Sequence, residues 1–372
     1  MKLYVGIMSG TSMDGIDVAL INLTKNEIIN GITCPYDPEV KVRLKETMSL
    51  EAHDLGYFSQ LNTLLGREFA KAVLLLLEKS NQSARNITAI GSHGQTICHN
   101  TAIDIPYSVQ LGCPHTIAEM TKITVVADFR TRDLVAGGQG APFAPIYHQA
   151  IFRDFSFPLA VVNVGGIANL TYLKNEHDVS GYDVGPGNCL MDAWVYKHLG
   201  VDYDKNGDWA ASGTVIKPLL NSLLQDSFFL RQAPKSIGKE YFSLKWLRSY
   251  FNDDYSAVDI QATLLRLTAM GIAKSVKGLI SNSHHLFICG GGAHNNALLN
   301  ELTYLLPDVR VLSTQKININ PDFIEAAMFA WLADKTLNNI ALNLNSITGA
   351  KHPTILGAIY PAGIDKLNSL AV

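Results

Sequence analysis

The sequence lacks the features of several protein classes. Its five cysteines are scattered over 372 residues without a CxxC pair, which argues against a disulfide framework and against structural zinc. No stretch is rich in lysine or arginine, so we expect no nucleic-acid partner. No apolar run is long enough to cross a bilayer and no signal peptide pattern is found, so we expect no membrane partner and a cytoplasmic protein. The GxxxxGK[ST] pattern of a P-loop is also missing.

What is present is the composition of a folded protein. Hydrophobic residues make up 47% of the chain and charged residues 17%, with a formal net charge of -3. These values exclude a disordered chain and disfavour a binder of polyanions. The length predicts two or three domains, each able to bury a core.

The order of the predicted elements indicates that one plan occurs twice. Each round begins with a strand, a polar glycine-containing turn and a second strand, at 3–23 and again at 159–173. Apolar residues at a spacing of three to four predict a long helix from Asp54 onward. Residues 203–255 have too weak a periodicity for a prediction. We therefore expect a duplicated domain, with a cleft between the halves and the two hairpins facing each other across it.

The first turn, within "GIMSGTSMDGIDVAL", holds more polar residues than a turn requires. The stretch from Ser9 to Asp17 contains Gly10 and Gly15, whereas a hairpin needs only two turn residues. One interpretation is a wide turn. The other is a loop whose backbone N–H groups and hydroxyls hold phosphate oxygens, since small residues let an anion approach the backbone. Asp14 and Asp17 fit the second interpretation only if a divalent cation accompanies the phosphate.

Two further glycine motifs fall in the second half. "NVGGIAN" places Gly165 and Gly166 between two strands, which indicates either a bulge or a counterpart of the first loop. "CGGGAHNN" places Gly290, Gly291 and Gly292 between a strand and a helix. These three glycines serve either tight packing of that helix on the strand, or an adenosine that lies against a backbone without side chains.

Three motifs and one helix position carry candidate chemistry. "GYDVGPGN" places Asp183 in a predicted loop before a helix, as either a helix cap or a general base. "ITVVADFRTRD" predicts a strand over 123–133, and its end, "ADFRTRD", carries Arg130 as either a surface charge or a fork for a carboxylate or phosphate. "GSHGQT" predicts a loop in which His93 and Gln95 contact sugar hydroxyls, or a structural histidine. Glu325 begins an apolar helix, where the helix dipole alone favours an acidic residue.

Taken in order, these motifs resemble those of the bacterial anhydro-N-acetylmuramic acid kinases. The resemblance covers essentially the whole chain and includes "ADFRTRDLVAGGQGAPFAP" and "NVGGIANLT". It implies an α/β fold with two ribonuclease-H-like domains, as in the sugar kinase, Hsp70 and actin superfamily, and a central nucleotide cleft. We expect domain I, with the first phosphate loop and the sugar contacts, at 1–132 and 347–372. Domain II, with the second phosphate loop, the catalytic aspartate and the adenosine loop, is expected at 133–346. The resemblance also implies a homodimer.

The same resemblance implies a reaction. ATP and water would convert 1,6-anhydro-N-acetylmuramic acid to N-acetylmuramic acid 6-phosphate and ADP, with Mg²⁺, in peptidoglycan recycling. The anhydro ring would be hydrolysed and O6 phosphorylated. One alternative is an ordinary amino-sugar kinase of the same superfamily that phosphorylates a free hydroxyl. Another is a nucleotide-gated scaffold or chaperone-like protein.

Carried over onto this sequence, the family's motifs imply roles for single residues. Asp183 would be the catalytic base that activates water, and Arg130 would suit the lactyl carboxylate of the sugar. The sugar would also contact Ser9, His93 and Glu325. ATP would contact Gly10, Thr11, Ser12, Met13, Asp14, Gly15, Ile16, Asp17, Gly165, Gly166, Gly290, Gly291 and Gly292. The metal ligands stay open.

Overall fold

The computed structural model describes residues 2–10, 13, 15–49, 55–233, 235–238, 241–251, 255–280 and 284–363. Contacts within the chain group it into two units. Unit one comprises Met1–Tyr147 and Phe323–Val372, and unit two comprises His148–Asp322. The sequence predicts domain boundaries after residues 132 and 346, whereas the contacts divide the chain after Tyr147 and after Asp322. The predicted boundaries stay a prediction.

Twelve strands lie in the described part of the chain, in two sheets. They are β1 (Leu3–Ser9), β2 (Ile16–Asn22), β3 (Glu27–Cys34), β4 (Ile87–Asn100), β5 (Tyr107–Leu111), β6 (Val125–Ala127), β7 (Leu159–Val164), β8 (Ile167–Leu173), β9 (Val179–Pro186), β10 (His285–Cys289), β11 (Arg310–Ser313) and β12 (Ala358–Tyr360).

The two sheets share one strand order. In unit one the order is β12-β6-β4-β1-β2-β3, with β5 also paired to β4, and in unit two it is β11-β10-β7-β8-β9. In each sheet the first hairpin, β1–β2 or β7–β8, is antiparallel, and its first strand runs parallel to a later one, β4 or β10. The predicted duplication and the ribonuclease-H-like α/β fold are therefore confirmed.

Fourteen α-helices lie between or beside these strands, counted over the same described residues. They are α1 (Pro38–Ser49), α2 (Leu55–Lys79), α3 (Pro114–Thr121), α4 (Phe129–Val135), α5 (Ala144–Ile151), α6 (Cys189–Leu199), α7 (Asp208–Ser212), α8 (Lys217–Leu224), α9 (Ser227–Leu230), α10 (Leu244–Arg248), α11 (Ala257–Val276), α12 (Asn296–Leu305), α13 (Ile324–Leu337) and α14 (Asn345–Thr348). Short 3₁₀ turns occupy Ala84–Asn86, Lys205–Gly207, Gly291–His294 and Thr314–Ile317. No helix in these described ranges has the length and apolar character to cross a membrane.

Helix α2 confirms the prediction made from apolar spacing. It begins at Leu55, while Asp54 lies outside the described residues. One face of the helix is buried in the core of unit one through Leu61, Leu65 and Phe69, which recur at intervals of four. This spacing places successive side chains on one helix face, which is the face that the sheet covers.

Helix α13 is buried nearly all round and packs on the sheet of unit one. Gly6 of β1 and Gly91 of β4 are partners in the parallel register. A Cβ atom on Gly6 would overlap the carbonyl oxygen of Ala326, and one on Gly91 would overlap that of Phe329. The two glycines thus let the helix backbone lie directly on the strands. This packing explains why α13 groups with unit one.

Gly6→Ala is expected to lower the free energy of unfolding by about 2–3 kcal/mol, because the helix must move away from β1 to admit a methyl group. Urea unfolding followed by circular dichroism measures the loss. Gly349→Ala is the control in the same unit: Gly349 has a φ of 83° and an added Cβ would meet nothing within 4 Å. It should cost about 1 kcal/mol from the left-handed backbone alone. Equal losses in both variants would contradict the packing argument.

The region 203–255 allowed no prediction from periodicity, and its described part contains the short helices α7 to α10, of which α9 and α10 contact one carboxylate. Asp226 accepts hydrogen bonds from groups on three nearby segments: the Phe228 N–H at 2.8 Å, the Tyr241 hydroxyl at 2.9 Å, the Trp246 indole at 2.9 Å and the Tyr250 hydroxyl at 2.9 Å. These donors come from segments without a regular apolar spacing. The Asp226 carboxylate therefore holds the segments together by hydrogen bonds, as apolar side chains do elsewhere in the chain.

Candidate functional site

The first polar loop joins β1 to β2, and its described part is tied down at Gly10 and Met13. The Gly10 carbonyl accepts from the Met13 N–H at 3.1 Å and from Gln95 Nε2 at 3.1 Å. Met13 has a φ of 56°, and its side chain is buried in the core of unit one. The predicted ATP contacts Thr11, Ser12 and Asp14 lie outside the described residues.

The last residues of the predicted loop lie at the start of β2. Ile16 is buried in the core of unit one, and Gly15 lies just before it. A Cβ atom on Gly15 would come within 3.0 Å of the Cys34 carbonyl oxygen, so close packing on β3 requires glycine there. Asp17 Oδ1 accepts from the Thr33 hydroxyl at 2.6 Å. The described loop residues therefore combine packing positions with one acidic side chain that faces β3.

Ser9, a predicted sugar contact, ends β1 with its side chain buried. Its hydroxyl donates to Gln95 Oε1 at 2.6 Å and is hydrogen-bonded to the Tyr36 hydroxyl. Both are protein groups, and the Gly15 carbonyl oxygen lies 3.4 Å from the same hydroxyl. The Ser9 side chain thus belongs to a buried polar cluster at the base of the loop.

The predicted loop at "GSHGQ" is wrong, because β4 continues through it to Asn100. The strand persists since its later half pairs with β5, from Gln95 opposite Leu111 to Asn100 opposite Tyr107. Glycine and polar residues are typical of turns, but a neighbouring strand overrides that local preference.

Arg130 lies on a helix, so the predicted strand over 123–133 is wrong beyond Ala127. Asp128 takes a left-handed conformation with φ 59°, which ends β6 and starts α4. Arg130, in the first turn of that helix, donates from Nε and Nη2 to Nε2 of His93, at 3.1 and 2.9 Å. Since Nε2 accepts, we assign the imidazole proton to Nδ1. Burial and the nearby Arg130 charge hold the pKa of His93 well below its usual value, so the ring is neutral.

Glu325, in the first turn of α13, shares its surroundings with Arg130 and Asp17. Burial and the Asp17 charge raise the pKa of Glu325, while the Arg130 charge opposes the rise. Burial lowers the pKa of Arg130 to about 10, and Glu325 opposes that shift, so the guanidinium stays charged at neutral pH. Unit one thus presents a held cation whose charge acts on Glu325, and a guanidinium of this kind is suited to bind an anionic substituent.

A cavity of about 280 Å³ lies beside His93 in unit one. Its lining is largely polar and includes Ser92, Gly94, Ser108 and Asp128. Hydroxyl, amide and carboxylate groups of this kind suit a ligand with many hydroxyls, such as a sugar.

Asp183 lies on β9, so the predicted loop around it is also wrong. Its N–H donates to the Lys235 carbonyl at 2.9 Å, and its Oδ2 accepts from the Ile237 N–H at 2.9 Å. Oδ1 has no hydrogen-bond partner among the residues that the structure describes. Burial raises the pKa of Asp183 to about 6, against the opposing Ile237 N–H. A carboxylate fixed by one oxygen and titrating near neutrality is suited to act as a general base.

The partners of Asp183 were missed by the sequence reasoning. Lys235 and Ile237 belong to the region without periodicity, and they form a segment that runs beside β9. A backbone contact of this kind leaves no side-chain signature, so no residue pattern could have indicated it.

The second glycine hairpin turns through Gly165 and Gly166 alone. Their carbonyls accept from the N–H groups of Asn188 at 2.7 Å and Gly187 at 2.9 Å, which lead into α6. A Cβ atom on Gly165 or Gly166 would meet nothing closer than 3.7 Å. Packing within unit two therefore does not require glycine at either position, and the open space favours a ligand close to the backbone.

The three glycines at 290–292 divide between the two interpretations. A Cβ atom on Gly290 would overlap the Asn163 side chain, and one on Gly292 would overlap Val164, so both serve tight packing on β7. Gly291 has room for a Cβ and lines a cavity of about 300 Å³. The rest of that lining includes Asn188, Met191, Asp192, Tyr203, Asp204, Asn206, His294 and Asn295. Its volume and mixed polarity suit a nucleoside.

Over the residues described, no group of three or more His, Cys, Asp or Glu side chains could hold a metal ion. Mg²⁺ that arrives with a nucleotide takes only one or two protein carboxylates, because phosphate oxygens and water fill its other positions. Asp17, whose charge acts on Glu325, is a carboxylate of that kind. The donor chemistry therefore fits a nucleotide-bound Mg²⁺ and not a dedicated protein cage.

The family model and the curated relatives agree on one family. The model of the family "Anhydro-N-acetylmuramic acid kinase" matches residues 2–362. The chain is 56% identical over 361 residues to the anhydro-N-acetylmuramic acid kinase of Legionella pneumophila (strain Corby), covering 97% of this chain and 99% of the relative. It is 46% identical over 360 residues to that of Coxiella burnetii (strain Dugway 5J108-111), covering 96% and 97%. Among solved structures, it is similar to the activator of the 2-hydroxyisocaproyl-CoA dehydratase from Clostridium difficile with bound ADPNP, at 12% identity and a TM-score of 0.48, covering 92% of this chain and 98% of that chain.

Proposed function

The chain belongs to the family of anhydro-N-acetylmuramic acid kinases, and from that premise we propose how its residues carry the reaction. It is a phosphotransferase that acts on 1,6-anhydro-N-acetylmuramic acid. The ordinary amino-sugar kinase and the nucleotide-gated scaffold are not favoured by these relatives.

Asp183 is the general base in this proposal. Its Oδ1 takes a proton from a water molecule whose oxygen forms a bond to C1 of the sugar. The C1–O6 bond breaks, its electron pair stays on O6, and O6 forms a bond to the γ-phosphorus as the bond to the β-phosphate oxygen breaks. The products are N-acetylmuramic acid 6-phosphate and ADP, and the proton leaves Asp183 to solvent. A pKa of about 6 keeps the carboxylate ready to accept this proton at neutral pH.

Arg130 binds the lactyl carboxylate in this proposal. His93 accepts two N–H groups of the guanidinium, so it orients the cation and leaves the other N–H groups for the substrate. This arrangement supports Arg130 as the direct sugar contact and His93 as its holder. Glu325 would contact the sugar from the start of α13.

ATP is bound, in this proposal, by the loop from Gly10 to Asp17, by Gly165 and Gly166, and by the loop containing Gly291. The open surroundings of the glycine pair and the cavity at Gly291 support these assignments. Asp17 would hold Mg²⁺ with the phosphates, and the ion, when bound, would neutralise charge on the transferring phosphoryl group. The homodimer and the part in peptidoglycan recycling rest on the family alone, and the cytoplasmic location stays an expectation from the sequence.

The observation that carries the proposal is the fixed carboxylate of Asp183, with its raised pKa and an Oδ1 that has no hydrogen-bond partner among the described residues. The test is ADP release measured with and without 1,6-anhydro-N-acetylmuramic acid, together with the mass of the product. We expect turnover only with the sugar, and a product heavier by one water and one phosphoryl group. In ¹⁸O-labelled water, rapid quenching should find the label on C1. Sugar-independent turnover would support a scaffold, and a product without added water would support an ordinary kinase.

A further inference from the structure

We propose that Gln95 is a positioning residue for the first phosphate loop, which it holds through the carbonyl of Gly10. This inference rests on the proposed role of that loop in ATP binding. Gln95 is fully buried, so its amide cannot reach a sugar hydroxyl as the sequence suggested. Its side chain instead makes four hydrogen bonds, all to groups of unit one.

The amide of Gln95 is satisfied on both sides. Oε1 lies within hydrogen-bond distance of the Ser9 hydroxyl at 2.6 Å and of the Tyr36 hydroxyl at 3.0 Å, and because these hydroxyls also contact each other, their two protons are shared among the three oxygens. Nε2 donates to the Gly10 carbonyl at 3.1 Å and to the Thr96 carbonyl at 3.3 Å. The amide has one orientation, because turning it over would set Oε1 against the carbonyl oxygens of Gly10 and Thr96, which cannot donate. Gln95 is therefore a rigid support.

Gly10 is the residue at which the chain leaves β1 and enters the loop. Its carbonyl accepts from Gln95 on one side and from the Met13 N–H on the other, so both lone pairs are used. Met13 in turn is fixed by its buried side chain. The loop thus starts from a point that is tied both to β4 and to the core.

A bulge in β4 places Gln95 next to Gly10. Ile7 of β1 lies opposite Ser92, so regular pairing would place Gly94 opposite Ser9. The register shifts by one residue, and Gln95 lies opposite Ser9 instead. Gly94 has a φ of 78°, which accommodates the extra residue. Bulges re-aim side chains next to functional sites, and this one puts a double donor next to Gly10.

The test compares Gln95→Met with Thr336→Val in the full-length protein. Methionine keeps the length of the side chain but cannot donate to Gly10. Thr336 is a buried residue of unit one that donates to the carbonyls of Leu332 and Leu356, so its valine variant also loses buried side-chain hydrogen bonds, but away from the loop. The readouts are KM for ATP, KM for the sugar, the Kd of ADP, and hydrogen exchange of the peptide that contains Met13.

Gln95→Met is expected to raise KM for ATP and Kd for ADP roughly 10-fold or more, with faster exchange at Met13, because the partly buried Gly10 carbonyl loses a donor. KM for the sugar should stay within about threefold. Thr336→Val should lower thermal stability without changing nucleotide affinity. Gln95→Asn, which keeps the amide but is too short to reach Gly10, should shift ADP affinity in the same direction and serves if the methionine variant does not fold.

Equal effects of the Gln95 and Thr336 variants on ADP affinity would overturn the inference, as would a parallel rise in both KM values. ADP binding and hydrogen exchange need no turnover. If the wild-type protein shows no sugar-dependent turnover, the proposed function fails, while weaker ADP binding and faster exchange in Gln95→Met still support the positioning role. If hydrogen exchange at Met13 is unchanged in Gln95→Met, the positioning role is contradicted even when the kinase reaction is confirmed.

Discussion

Asp183→Asn is expected to lower sugar-dependent turnover roughly 10²- to 10⁴-fold while ADP still binds. Asparagine has no group that accepts a proton from water at neutral pH, so the general-base contribution is lost. Its side-chain oxygen can still accept from the Ile237 N–H, which now bonds Oδ2 at 2.9 Å. Strand β9 should therefore keep its position, and the variant should have a lower kcat. Steady-state kinetics and ADP titration calorimetry measure the two effects.

The same carboxylate sets the pH dependence. Burial raises the pKa of Asp183 to about 6, so below that pH the side chain is protonated and cannot accept a further proton. The logarithm of kcat/KM should rise with a slope close to one below about pH 5, bend near pH 6, and level off above about 7. The residual activity of Asp183→Asn should not rise with pH in this way. This result would distinguish Asp183 from any other group that titrates in the same pH range.

Asp178→Asn is the matched control, since Asp178 is an exposed carboxylate directly before β9 that pairs with Lys174 at 3.5 Å. It should retain activity within about twofold, as surface ion pairs contribute little. If Asp183→Asn keeps more than a tenth of the activity, the base assignment is wrong. If it also loses ADP binding, Asp183 supports the fold of unit two and has no separate chemical role.

The duplicated plan could be predicted from the sequence because its signals are local. A strand, a glycine turn and a second strand are visible at 3–23 and at 159–173, and the apolar spacing of α2 is regular over its whole length. The pairing of β4 with β5, and of β9 with β8, could not be predicted in the same way. Both strands contain glycine and polar residues that are typical of loops, and only their partners make them strands.

The elements that carry the site residues also could not be predicted from local signals. Arg130, His93 and Asp183 were picked out by residue type, yet each lies on a different kind of element from the one predicted. Residue type reports the chemistry that a side chain can perform. Its surroundings depend on contacts distant in sequence, such as the 37 positions between His93 and Arg130. The predicted chemistry therefore stands as a proposal, while the element assignments needed correction.

Arg130→Met is expected to raise KM for 1,6-anhydro-N-acetylmuramic acid roughly 100-fold with little change in KM for ATP. The guanidinium is charged, and His93 fixes its direction, so its remaining N–H groups can form charge-assisted bonds to the lactyl carboxylate. Methionine fills similar space without charge. Arg132→Met, two residues along the same helix and exposed, is the control and should leave both KM values within about twofold.

The decisive measurement pairs each enzyme with two substrates, the natural sugar and 1,6-anhydro-N-acetylglucosamine, which lacks the lactyl group. The wild-type enzyme should lose roughly 100-fold in kcat/KM on the shorter sugar. Arg130→Met should lose little further, because the carboxylate that Arg130 binds is already gone; the two changes are then strongly coupled in a double-mutant cycle. If the two penalties multiply, Arg130 does not bind the carboxylate. Its charge would then act on another group, with the phosphates of ATP as the first to test through KM for ATP.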